Sequence, residues 1–347
     1  MFGAGGYWGG GERYALELAR AEAELVPTRL VSFGEEARRL RLGPLQIHVL
    51  PIRFRFKRNY LNPISELLPL EVADARVLHV HQDSTILTDA VALIGAAMGK
   101  RVVVTDLGGA APSMRRVFDT SRLISAHLAV SRFAASMNPH YAGRTHVIYG
   151  GADLARFRRG SAPRRKVVVY VGRVMPHKGI HDLIDAVDPD MPLEIYGRTY
   201  DQSYRTALNE KAAGKHVRFF DSAADDEVVR ALQTARVSVL PSVYRSPFGG
   251  PYPKPELLGL SLIEAMACAT PVVASSAASL PEIVDDGRCG LVFEAGNPTD
   301  LRDRLRHLWA DDDLWDRMSE AAYDRVHELF TWPLTARRAL QAYEAVR

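Results

Sequence analysis

The chain has 347 residues, of which 47% are hydrophobic and 24% charged, with 26 Gly and 20 Pro. These values exclude a fibre, a collagen-like repeat and a disordered chain, and the length suggests about two domains, each with its own core. Lys and Arg number 44 against 41 Asp and Glu, a net charge of +3, which is too small a balance to mark a nucleic-acid binder.

Cys268 and Cys289 form no Cys-x-x-Cys pair, so neither a disulfide framework nor a structural zinc site is expected, as in a reducing cytoplasm. No apolar run reaches the roughly 18 residues of a spanning helix. The glycine-rich start lacks the basic-then-apolar order of a signal peptide.

In chain order, residues 12–24 are amphipathic and predict a helix. Apolar, β-branched runs follow at 30–33, 47–50, 77–80, 102–105, 128–130 and 146–149. A second series lies at 167–171, 193–196, 217–220, 237–240, 271–274 and 291–293. Continuous apolarity indicates strands covered on both faces, hence parallel sheets. Helix-period stretches separate them, at 178–187, 225–235, 261–268 and 299–309, and a last helix is expected over 334–347. The βαβα pattern is that of an α/β class with doubly wound sheets. The polar stretch 157–166, with Gly160 and Pro163, is the expected boundary. The expected domains are therefore 1–157 and 166–330, with 331–347 as a closing helix.

Three segments point to chemistry. In Pro255-Glu256-Leu257-Leu258-Gly259-Leu260-Ser261-Leu262-Ile263-Glu264, seven residues separate two carboxylates, and Gly259 turns into a helix. The amides of Leu260, Ser261 and Leu262 then form a ready anion site, which Glu256 and Glu264 can flank. The bland alternative is a solvated Glu followed by an ordinary helix Glu. In Gly172-Arg173-Val174-Met175-Pro176-His177-Lys178-Gly179, two cations follow a buried strand, where such sheets bind ligands. Arg173 can fork onto phosphate oxygens and Lys178 can act as a point charge; an exposed basic turn is the plainer reading. Gly9-Gly10-Gly11 before the first helix allows close backbone approach, although it matches no Gly-x-Gly-x-x-Gly or P-loop pattern.

Taken in order, with 147–157, Val239-Leu240-Pro241-Ser242, Glu264-Ala265-Met266-Ala267, Thr270-Pro271-Val272-Val273-Ala274 and 281–287, these segments resemble the family 4 retaining glycosyltransferases. The resemblance covers nearly the whole chain. It implies the GT-B architecture, two Rossmann-like domains facing across a cleft, with the last helix returning to the first domain. It implies transfer of a sugar from a nucleotide-diphosphate sugar to an acceptor hydroxyl, on a glycan, a lipid-linked acceptor or a small molecule. By the same resemblance Arg173, Lys178 and Glu256 are the catalytic residues. The two cations neutralise the diphosphate, and Glu256 holds donor-sugar hydroxyls. Glu264 holds the ribose, with Gly259, Leu260, Ser261 and Leu262 beside the donor. Gly10 and Gly11 match the glycine loop opposite it. Neither a metal nor a cofactor is expected.

Two departures stand out. Residues 1–6 make a poor first strand, so an incomplete or truncated start is expected. Many relatives carry a His after the strand that corresponds to 102–105; Leu107 stands there, leaving Asp106 as the nearest polar residue, on the acceptor side or as a loop cap.

Other segments have plainer readings. His79 and His81 share a strand face but lack a carboxylate in register for a metal pair. Asp188-Pro189-Asp190 reads as a turn rather than a metal motif. The run Arg53, Arg55, Lys57 and Arg58, interleaved with Phe54 and Phe56, is a solvated edge or a contact for an anionic acceptor or a membrane surface. The location implied is the cytoplasm, with peripheral contact at the membrane's inner face. Two alternatives stay open: a nucleotide-sugar epimerase on the same scaffold, and a binding protein impaired in catalysis.

Overall fold

The structure is a computed structural model that describes residues 9–59, 61–108 and 111–346, without the side chains of Arg58 and Arg116. The expected incomplete first strand, over residues 1–6, lies outside the described residues. The chain divides into two compact units, Met1–Gly150 with Trp332–Arg347, and Gly151–Thr331.

In the first unit, β1 (Arg29–Gly34), β2 (Arg38–Leu42) and β3 (Leu45–Pro51) form a sheet in the order β1-β3-β2. β1 and β3 are parallel, whereas β2 and β3 form an antiparallel hairpin, a departure from all-parallel sheets. All five residues of β2, Arg-Arg-Leu-Arg-Leu, are exposed, so no apolar run betrays this strand. A short antiparallel ladder joins β4 (Phe54–Arg55) and β5 (Pro63–Ile64). β6 (Val77–His81), β7 (Arg101–Thr105), β8 (Ala126–Ala129) and β9 (Thr145–Val147) then form a parallel sheet in chain order. Val102, Val103 and Val104 are fully buried, as a strand covered on both faces must be. The run expected at 146–149 stops at Val147, two residues ahead of Tyr149, which turns to φ 60°.

The second unit is one parallel six-stranded sheet. Its strands are β10 (Val168–Val171), β11 (Leu193–Tyr196), β12 (Val217–Phe220), β13 (Val237–Leu240), β14 (Val272–Ser275) and β15 (Gly290–Phe293). Their order is β12-β11-β10-β13-β14-β15. The stretch 157–166 belongs to this unit instead of linking the two. Phe157 is buried, Arg164 Nη1 donates to Thr270 Oγ1 at 2.7 Å, and Arg165 Nη1 meets Glu194 Oε1 at 3.0 Å. The polar composition here records two arginines, Arg164 half-buried and Arg165 exposed, whose guanidinium groups are pinned within this unit, and the division falls earlier, at Gly150.

The last helix runs Trp332–Ala345 and belongs to the first unit. It starts two residues before the expected 334 because Pro333 sits in its first turn, where no intrahelical N–H is needed. It packs on the helix Gly10–Ala23, with the Trp332 and Tyr14 rings edge to face at 5.2 Å. Cys268 and Cys289 are both buried and free. No helix among the described residues is long and apolar enough to cross a membrane.

Candidate functional site

In the second sheet the chain moves outward from β10 to β12, then returns to place β13 on the other side of β10. The connections from β10 to β11 and from β13 to β14 therefore run in opposite directions along the sheet, and open parallel sheets bind ligands at such a switch point. The two segments singled out in the sequence, 172–179 and 255–264, follow these two strands.

The loop after β10 is held from below and from the side. Tyr170 is fully buried and its hydroxyl donates to the Arg173 carbonyl at 2.8 Å. Arg173 itself is exposed, and no side chain among the described residues pairs with its guanidinium. A single 3-10 turn, Pro176–Lys178, leads to Gly179 at φ 68°. A Cβ on Gly179 would lie 1.8 Å from the Pro241 carbonyl oxygen, so only glycine lets the loops after β10 and β13 meet. The Val243 amide then donates to the His177 carbonyl at 2.9 Å. The His177 ring lies 5.0 Å from Tyr252, and burial, helped by Lys178 and Arg173, pulls its pKa down to about 3. His177 is thus neutral.

Lys178, 8% exposed, reaches across the switch point: its Nζ lies 2.5 Å from Glu256 Oε2. Ser242 Oγ donates to the same oxygen at 3.4 Å. Two residues expected to take separate parts of a donor are thus paired with each other, both largely out of solvent.

The helix Leu260–Ala267 starts at Gly259, φ 83°, with no side-chain cap. The Leu262 amide, expected to face an anion, donates to the Gly259 carbonyl at 3.0 Å. The tight first turn takes that donor, which leaves the amides of half-buried Leu260 and Ser261 as the expected anion donors at this helix start. Glu264 is buried one turn further on; its charge, after burial itself, raises the Cys268 thiol to about 12.

Gly10, Gly11 and Asp106 belong to the first unit. A Cβ on Gly11 would lie 3.6 Å from Leu107 Cβ, so the glycine loop and the loop after β7 are neighbours. Asp106 is buried, and its Oδ1 accepts from the Gly108 amide at 3.0 Å and from Gln82 Nε2 at 3.3 Å. Asp188 pairs with Arg306 at 2.7 Å, and no group of three metal-ligating side chains occurs among the described residues. Phe54 and Phe56 are exposed, and Arg53 and Arg55 line a hollow of about 530 Å³ with Glu35 and Ile52. The side chain of Arg58 lies outside the described residues.

Sequence reasoning missed Ser242 and His177 as parts of this site. Ser242 directly follows the end of β13 and His177 adjoins Lys178, so position beside a strand end was the available signal.

The family pattern described as glycosyl transferases group 1 matches residues 152–325. A D-inositol 3-phosphate glycosyltransferase of Corynebacterium efficiens is 30% identical over 226 residues, 58% of this chain and 50% of the relative. An alpha-maltose-1-phosphate synthase of Mycolicibacterium smegmatis is 32% identical over 232 residues, 58% of this chain and 57% of the relative. The chain thus spans about half the length of the curated relatives it matches. Among solved structures, Anabaena Alr3699/HepE, with UDP and glucose, superposes with a TM-score of 0.79 at 18% identity, covering 98% of this chain and 97% of that one. Sucrose-phosphate synthase of Thermosynechococcus elongatus gives 0.74 at 20% identity, covering 97% and 94%. The fold is the GT-B architecture that the sequence motifs implied.

Proposed function

Because this chain belongs to the glycosyl transferases group 1, we propose that it moves a sugar from a nucleoside-diphosphate sugar to an acceptor hydroxyl with retention at the anomeric carbon. The observation that carries the reading is the cluster at the switch point: Arg173 and Lys178 after β10, and Glu256 with the Leu260 and Ser261 amides after β13. As the anomeric carbon–oxygen bond breaks, negative charge collects on the leaving diphosphate. Arg173, Lys178 and the two amides are suited to that charge, and fixed donors of this kind favour the transition state over the ground state. The acceptor oxygen bonds to the anomeric carbon on the face the diphosphate leaves, and its proton passes to a leaving phosphate oxygen. Glu256 accepts hydrogen bonds from donor-sugar hydroxyls, and Glu264 from the ribose.

With this charge met by side chains and backbone, turnover is expected to persist in EDTA; loss restored by magnesium or manganese would count against the reading. The relatives named for D-inositol 3-phosphate and maltose 1-phosphate support a phosphorylated acceptor as the first class to try. Arg53 and Arg55 are our proposed contacts for its anionic group.

The direct test is thermal melting with UDP-, GDP-, ADP- and dTDP-sugars. A ligand at a hundred times its Kd stabilises by about 2.7 kcal/mol, so the true donor separates from the rest. No stabilisation by any of them, and no nucleoside diphosphate released, would overturn the proposal.

A further inference from the structure

In the first unit, the helices Gly10–Ala23 and Trp332–Ala345 and the strands β6 and β7 enclose a polar chain. The Tyr343 hydroxyl lies 2.7 Å from Glu22 Oε1 and 2.7 Å from His79 Nδ1. His79 Nε2 lies 2.7 Å from Thr105 Oγ1. A phenol has one proton. Donated to Glu22, it leaves the Tyr343 oxygen to accept from His79 Nδ1–H. A neutral imidazole protonated at Nδ1 accepts at Nε2, here from the Thr105 hydroxyl. Each link thus fixes the direction of the next.

The chain ends at a telling place. Thr105 closes β7 and precedes Asp106 and Leu107, and Leu107 abuts Gly11. Both ends of the helix Gly10–Ala23 therefore bear on the loop 105–108, one by contact at Gly11 and one through Glu22, Tyr343 and His79.

We propose that Tyr343, from the C-terminal helix, is a positioning residue that sets the acceptor-side loop 105–108 through His79 and Thr105. This rests on the reading of that loop as acceptor-facing. The titratable groups facing the chain are His81, its ring 4.2 Å from that of His79, and Tyr14, hydrogen-bonded to the Tyr149 carbonyl. Burial holds His79 neutral, and burial pushes Glu22 up to about 7. When Glu22 takes up a proton it becomes the donor to Tyr343, every bond reverses, and His79 Nε2–H donates to Thr105. One proton at Glu22 thus changes how the loop is anchored without charging the histidine.

The test is histidine nitrogen NMR on the full chain, with the His79 signal identified by His79→Gln. At pH 8 the wild-type ring should be neutral and Nδ1-protonated. In Tyr343→Phe that tautomer preference should be lost, and the Asp106 to Gly108 amides should shift while Gly172 in the second unit stays put. Thr105→Val, which keeps the strand and cuts the last link, should move the same amides. With the nucleotide sugar selected by melting, Tyr343→Phe should keep nucleoside diphosphate affinity within about twofold and lower turnover about tenfold, the scale of one buried hydrogen bond. An unchanged tautomer and unchanged loop amides overturn the proposal, whatever the activity. A wild-type protein that releases no nucleoside diphosphate overturns the transfer reading and leaves the NMR outcome to decide the relay.

Discussion

Lys178 and Glu256 stand 78 positions apart in the chain and share a bond of 2.5 Å between Nζ and Oε2. Their strands, β10 and β13, are neighbours in the sheet although two strands intervene in sequence. With side chains 10% and 15% exposed, neither partner can lose the other without leaving a poorly solvated charge. Lys178→Ala is therefore expected to do two things. Turnover should fall about a hundredfold, the usual effect of removing one donor to a developing anion. Stability should fall too, by up to about 3 kcal/mol, because Glu256 is left without its cation. Glu256→Gln should spare more stability, since an amide can still hydrogen-bond. Adding it to Lys178→Ala should cost less than the sum of the two. Additive losses in melting and turnover across this double-mutant cycle would show that the pair is not coupled.

Arg173 makes the contrasting case. It sits on the same loop but is exposed, and its backbone is held by Tyr170 rather than by its own side chain. Arg173→Ala should reduce turnover by about a hundredfold with no change in melting temperature. A large drop in melting temperature would mean that the guanidinium has a structural role.

Gly179 is a conformational requirement. Its φ of 68° and the 1.8 Å approach of the Pro241 oxygen to a would-be Cβ leave alanine no unstrained place. Gly179→Ala should cost about 2 kcal/mol from the backbone alone, and the clash should displace the Lys178 turn. Circular-dichroism melting together with nucleoside diphosphate affinity checks this; wild-type values in both would contradict it.

Glu22 should leave a signature in the pH dependence of stability. Burial raises its pKa from 4.5 unfolded to about 7 folded, against the opposing hydrogen bond from Tyr343. A raised carboxyl pKa means that the folded state holds the proton longer. Stability is thus fully present below about pH 4.5 and declines as pH rises toward about 7. Glu22→Gln has no such proton to lose. The variant's melting temperature relative to wild type should rise across this window, by at most about 3 kcal/mol in stability. His79 and His81 titrate in the opposite sense but are common to both proteins, so they cancel in the difference. A flat difference between pH 4.5 and 7.5 would place the Glu22 carboxyl in an ordinary environment.

Much of the second unit was legible in the amino-acid order. Its six strands are short and mostly apolar, with Glu194 in β11 and Arg218 in β12 as charged exceptions, and the expected ranges match them to within a residue at either end. Burial on both faces, as in β10, β13 and β14, favours a largely apolar run, and that is written locally. The turn at Gly259 was legible for a similar reason, since a positive φ is a demand on one residue, whereas the demand on Gly179 comes from the Pro241 carbonyl of a distant loop. The exposed β2 was not, because its Arg-rich residues bury nothing and its partner β3 supplies the whole reason for the strand.

Which side chains meet is a different kind of fact. Arg173, Lys178, Glu256 and the turn at Gly259 could be named as candidates from residue type and position beside a strand. That Lys178 binds Glu256, that Ser242 joins them, and that the Leu262 amide turns back to Gly259 follow from sheet order and turn geometry. The bond between Tyr343 and Glu22 spans 321 positions, and that between Tyr343 and His79 spans 264. Hydrophobic period records whether a residue is covered; it carries no label for what covers it. Parallel sheets join strands through long crossovers, so partners at their carboxyl ends come from distant segments, and only the folded chain decides which ones touch.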